Sequence, residues 1–148
     1  MLEGVDEFRL IDSQKIVYEK AKALSKKSKQ DNKKRVMIVE GGPGTGKSVI
    51  AINLLAKLNK LTGSAIYVSK NAAPRNIYAK KLKGKYKVNY INKLFSGSGA
   101  FVKTPKNIYD NLIIDEAHRL KEKSGMYGNL GENQIKEIIN ASKFSIFF

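Results

Sequence analysis

Arg35-Val36-Met37-Ile38-Val39-Glu40, followed by Gly41-Gly42-Pro43-Gly44-Thr45-Gly46-Lys47-Ser48, is the stretch that decides the fold. A short apolar run that halts at glycines reads as a buried parallel strand. From Lys47 the period becomes helical: Ile50, Leu54, Leu58 and Leu61 share one face, and Gly63 is placed to end the helix. Gly41 to Ser48 fills the pattern G-x-x-x-x-G-K-[ST] in full, between a strand and a helix as its mechanism requires. Glycines let the backbone close around an anion with its N–H groups turned inward. The helix start adds the positive end of its dipole. Lys47 then reaches the β- and γ-phosphates of a nucleotide, and the Ser48 hydroxyl is a hard oxygen ligand for Mg2+. The sequence thus predicts a P-loop phosphate cradle of Gly42, Pro43, Gly44, Thr45, Gly46, Lys47 and Ser48, with ATP and Mg2+ as cofactors.

On the amino-terminal side, Val17, Ala21, Leu24 and Ser28 fall on one helical face after a cap at Asp12 or Ser13. Lys26 to Lys34 is a polar helix end and loop. Beyond Gly63, Ser64 to Ser69 reads as a second strand, and Asn71 caps a helix through about Leu82 with Pro74 in its first turn. Val88 to Ile91 is a candidate short strand, and Phe95 to Pro105 a loop. Leu112-Ile113-Ile114 is a buried strand, followed by a loop with Gly125, Gly128 and Gly131. Ile135, Ile138 and Ile139 mark an amphipathic helix, and Phe144 to Phe148 a last strand. Strands alternating with helices predict an α/β domain with a mostly parallel sheet and right-handed crossovers. No internal repeat is present. The chain stops inside an apolar strand with no polar tail, which reads as a C-terminally truncated piece of a longer protein. On that reading Phe144, Ile146, Phe147 and Phe148 lack part of their covering structure.

Asp115 and Glu116 follow the Leu112-Ile113-Ile114 strand, at the edge where ligands bind in open α/β sheets. Asp115 is suited to hold Mg2+, usually through water, and Glu116 to orient and deprotonate an attacking water. Such a pair can also simply cap the next helix; the cradle upstream favours the metal-and-water reading. Lys47, Asp115 and Glu116 are therefore the candidate catalytic residues, and Ser48 and Asp115 the candidate metal ligands.

A length of 148 residues suits one domain. Without cysteine, a disulfide framework and a Cys-based zinc site are excluded. The acidic first residues lead into no apolar run, and nothing approaches the roughly 18 apolar residues that span a bilayer. A cytoplasmic protein with no membrane partner is expected. The net charge of +15, from 28 basic and 13 acidic residues, favours a polyanionic partner. Nearly all the basic residues are lysines in a chain also rich in Asn and Ile, so general compositional bias explains the excess equally well.

The cradle and the box Asp115-Glu116-Ala117-His118 together resemble the first RecA-like lobe of superfamily 1 DNA/RNA helicases. Lys70-Asn71-Ala72-Ala73-Pro74-Arg75, Gly97-Ser98-Gly99-Ala100-Phe101, Arg119-Leu120 and Gly128 to Gln134 narrow the resemblance. They are similar to the Schlafen-type DNA/RNA helicase domain of bacterial P-loop ATPases, over essentially the whole chain. The resemblance implies a three-layer RecA-like fold, ATP hydrolysis as a first motor lobe, single-stranded DNA or RNA as partner, and a C-terminal second lobe of the same chain. It implies that Gln14 hydrogen-bonds adenine, as a donor and an acceptor side by side allow; a solvated helix start is the alternative. Asn71 and Arg75 match the segment that touches a strand's backbone. His118 would couple the ATP site to neighbouring loops. The run Lys80, Lys81, Lys83, Lys85 and Lys87, with Tyr78 and Tyr86, either tracks a nucleic acid or is a solvated helix end. The competing function is a P-loop ATPase or switch of another kind, acting on protein partners.

Overall fold

Gln14, Tyr18, Ala21, Ser25 and Ser28 recur at steps of four and three. In a computed structural model, which describes residues 12–40, 47–61, 63–69, 80, 93–101, 104–115 and 134–148, they form the buried stripe of helix α1 (Asp12–Asp31). Val17 and Leu24 flank this stripe and are half-buried. The stripe is thus centred away from the purely apolar pattern, because it includes polar residues with buried partners. Ser25 donates to the Asn111 side chain, a bond invisible to hydrophobic periodicity. Past the helix, Asn32 takes a left-handed turn at φ 58°. Asp31 accepts from the Lys33 amide at 2.9 Å and from Arg35 at 2.6 and 2.8 Å. Arg35 and the Lys33 amide hold the Asp31 carboxyl well below the usual carboxylate range.

Five strands follow: β1 (Arg35–Ile38), β2 (Ala65–Val68), β3 (Phe95–Ser96), β4 (Tyr109–Ile114) and β5 (Ser142–Phe147). All pairings are parallel, in the spatial order β1-β5-β4-β2-β3. Two expectations change here. Phe95 to Pro105 is not wholly loop, since it contains β3 and a 3-10 turn at Ser98–Phe101; two residues are too few to show a strand period. β1 is not buried on both faces. Met37 and Val39 pack inward, while Val36 and Ile38 are exposed on the other side of the pleat.

Helix α2 (Lys47–Leu61) lies beside α1 on one face of the sheet. Its residues Ala51 to Ala56 are buried all round, so only Leu61, at the exposed end, departs from the predicted stripe. Helix α3 (Gln134–Ala141) and the 3-10 turn cover the opposite face, over Leu112, Ile114 and Phe147. On α3, Ile138 is buried and Ile135 exposed, with Gln134, Glu137 and Ala141 completing the buried face. The result is an α/β three-layer arrangement, compatible with a RecA-like fold. Phe144, Ile146, Phe147 and Phe148 are all buried, against the expectation that they lack cover. They lie on and just after β5, the strand between β1 and β4, and Phe148 extends the ladder by donating to the Ile114 carbonyl at 2.9 Å.

Polar fasteners gather at the amino-terminal edge of the sheet. The Lys34 ammonium binds the carbonyls of Ile139 (2.5 Å), Asn140 (3.3 Å) and Ser142, and the Asn107 side chain (2.6 Å). Asn59 on α2 binds the Leu55 and Ala65 carbonyls and accepts from the Ala65 amide. Gly63, at φ 108°, fits against Asp110, whose carboxylate accepts from the Ser64 amide at 3.1 Å. The predicted strand at Val88 to Ile91 and the loop with Gly125, Gly128 and Gly131 lie outside the described residues. So does the helix from Asn71, apart from Lys80, which is helical.

Candidate functional site

Because every strand runs the same way, all five carboxyl ends meet at the edge opposite these fasteners. The backbone ladder runs one residue past β1, β4 and β2. Val39 donates to the Phe147 carbonyl (2.8 Å), Asp115 to Val68 (2.9 Å) and Ser69 to Ser96 (3.1 Å). Asp115 is therefore fixed at its backbone, not carried on a loop. Its side chain is 3% exposed. Strand alternation places it on the same face as Ile113, which packs with α1 and α2.

Helix α2 starts at this edge. Asn59, near its end, is bonded to Ala65 at the beginning of β2. Lys47 lies twelve residues earlier, about 18 Å along a helix rising ~1.5 Å per residue. That exceeds the length of β2, so the first turn of α2 stands at the carboxyl edge, on the Asp115 face. This first turn opens with Lys47 and holds no acidic residue. A lysine there opposes the helix dipole, which favours negative charge, and leaves the positive end uncompensated. A site that attracts an anion gains from what the isolated helix loses.

Gln14 belongs to the same end of the molecule. Ser25 of α1 meets Asn111 low on β4, and Gln14 lies eleven residues nearer the amino terminus, about 16 Å further toward the carboxyl edge. Gln14 is 8% exposed, so the solvated alternative is not its situation. The structure thus brings Lys47, Asp115 and Gln14 to one edge. Ser48 is in the first turn of α2, with its side chain outside the description. Gly42, Pro43, Gly44, Thr45, Gly46, Glu116, His118, Arg119, Asn71 and Arg75 lie outside the described residues.

One neighbour of Asp115 escaped sequence reasoning. The Tyr67 hydroxyl, on β2, donates to Asp115 Oδ2 at 2.5 Å, and Tyr67 itself is fully buried. Within Ser64 to Ser69 this tyrosine reads as strand filler. The available signal was its hydroxyl, since a tyrosine in a buried strand must find a hydrogen-bond partner.

A carboxylate oxygen is a hard donor of the kind Mg2+ selects. Mg2+ is commonly held by one or two carboxylates together with substrate phosphates, not by an all-protein cage. Asp115 offers one such buried carboxylate at this edge; among the described residues no three His, Cys, Asp or Glu side chains cluster. No helix among the described residues is long and apolar enough to cross a membrane.

A family model for the Schlafen group 3 DNA/RNA helicase domain matches residues 34–148, well over half of the chain. The chain belongs to this family. The match begins just before β1, so α1 precedes it, yet α1 covers the family sheet with Tyr18 and Ala21. Membership in a helicase-type domain family agrees with the parallel sheet. A comparison with curated proteins found no match.

Proposed function

We propose that this domain binds ATP and hydrolyses it with Mg2+, as the first motor lobe of a DNA/RNA helicase-like protein. The observation that carries this reading is that the first turn of α2, opened by Lys47, and the buried Asp115 fall on one face at one edge of the sheet, within a helicase-domain family. The glycine-rich segment from Gly42 to Gly46 would supply backbone N–H groups to the phosphates. Lys47 neutralises the terminal phosphate oxygens, which favours both binding and the charge that spreads over them during transfer. Ser48 and Asp115 would hold Mg2+, which would supply positive charge against the phosphate oxygens when bound. Glu116, next along the chain, orients the attacking water and accepts its proton. Gln14 selects adenine from the end of α1.

The motor part of the reading is supported by the family, and the net charge of +15 is compatible with it. Asn71 and Arg75 are the proposed contacts to the backbone of a single strand, and the second lobe would close over the nucleotide. The test is steady-state ATP hydrolysis by the full-length protein, titrated with single-stranded DNA and RNA at low and high salt. Stimulation of several-fold, weakening as salt rises, is expected. Hydrolysis indifferent to both strands at low salt would replace the motor with an ATPase or switch acting on protein partners.

A further inference from the structure

We propose that Tyr67 is a positioning residue for Asp115, setting the plane of its carboxylate before Mg2+ and a nucleotide arrive. The proposal rests on the reading of Asp115 as the magnesium-holding acid. Most neighbours on the same sheet face, Ala65, Ile113, Phe144 and Ile146, are apolar, and the polar Asn111 there is bonded to Ser25 at the opposite edge. A phenylalanine would fill the place of Tyr67 with no polar atom to satisfy. The hydroxyl is instead present, and its partner is a carboxylate at the carboxyl edge.

The register explains the reach. Tyr67 pairs with Ile113, two residues before Asp115, so its side chain extends forward along the strand direction to Oδ2. Phe95 on β3 packs against the ring in a T-shaped contact, with centroids 5.7 Å apart and planes at 62°. Phe95, Tyr67 and Asp115 therefore form a run across three adjacent strands, β3, β2 and β4. The Val68 carbonyl fixes the Asp115 backbone, and Tyr67 fixes the side-chain torsion that the backbone leaves open. A ligating carboxylate whose orientation is already set loses less freedom on binding metal. Hydrogen bonds of this outer kind are typically worth ~10–100-fold in metal affinity.

The test is a magnesium titration of the binding of a fluorescent ATP analogue to wild type, Tyr67→Phe, Asp115→Asn and the double variant. Thermal unfolding is followed in parallel. Tyr67→Phe is expected to need about 10-fold more Mg2+ for half-saturation, with its affinity for the analogue in EDTA unchanged. In the Asp115→Asn background the same substitution should add little. An unchanged magnesium requirement in Tyr67→Phe, with a raised one in Asp115→Asn, overturns the proposal alone and leaves the Tyr67 bond as a packing feature. An unchanged requirement in Asp115→Asn overturns both the proposal and the metal reading beneath it. An equal loss of affinity with and without Mg2+ in Tyr67→Phe means general damage, and also counts against positioning.

Discussion

Replacing Lys34 by methionine keeps the aliphatic stem and removes the charge and its donors. An ammonium has three protons, and here four oxygens surround it: Asn107 Oδ1 at 2.6 Å and the carbonyls of Ile139 (2.5 Å), Asn140 (3.3 Å) and Ser142. Ile139 and Asn140 are in the last turn of α3, where a cation also meets the negative end of the dipole. A hydrogen bond from a charged donor is worth about 1.5–3 kcal/mol net. Two strong ones at the low end of that range, suited to a half-buried group, plus ~0.5 kcal/mol from the dipole, give about 3–4 kcal/mol. At roughly 2–4 °C per kcal/mol for a chain of this size, Tm should fall by about 6–15 °C. Circular dichroism melts of wild type and Lys34→Met measure this. Because Lys34 is at the amino-terminal edge, nucleotide affinity measured well below both midpoints should stay the same. A fall of less than ~2 °C would show that the carbonyls are equally well satisfied by water. Lost affinity in the folded variant would refute the separation of a fastening edge from a binding edge.

Gly63→Ala should also destabilise without touching the site: at φ 108° a Cβ would come within 2.4 Å of Asp110 Oδ2. A loss of at least ~1–3 kcal/mol in urea unfolding is expected, and a neutral result would mean that the turn relaxes freely. Glu116→Gln should bind ATP and hydrolyse it far more slowly in the full-length protein, whereas Asp115→Asn should lose magnesium-dependent affinity. Identical kinetics and magnesium dependence in the two variants would undo that division of roles. Gln14→Ala should narrow the preference for ATP over GTP while phosphate binding persists; equal selectivity in competition binding would make Gln14 a packing residue of α1.

Much of the architecture was legible because the signals were local. Gly63 sets the end of α2, the period change at Lys47 sets its start, and Leu112 to Ile114 mark β4. What was not legible depended on partners distant in sequence. Ser25 is buried because Asn111, far along the chain, meets it. The exposed sides of Val36 and Ile38 follow from the marginal place of β1 in the sheet, and no apolar run declares its neighbours. Phe144 to Phe148 are covered because β5 lies inside the sheet, with α1 and α2 packed on one face and α3 on the other. At the candidate site, Lys47 and Asp115 were visible as motif residues. Their sharing of one face, and the hydroxyl that Tyr67 gives to Asp115, required the folded sheet.

The binding of Mg·ATP to Lys47→Ala, with Tm measured on the same sample, bears most directly on the proposed site. Lys47 opens α2 against the dipole, and alanine is the better helix former there. The variant should therefore melt at or slightly above the wild-type temperature. Loss of a charge-assisted contact to phosphate should weaken Mg·ATP by roughly 10–100-fold, the equivalent of about 1.5–3 kcal/mol. Weakened binding with undiminished stability is the expected signature of a lysine kept for its ligand. Unchanged Mg·ATP affinity in a fully folded Lys47→Ala protein would contradict the assignment of this edge as a nucleotide site.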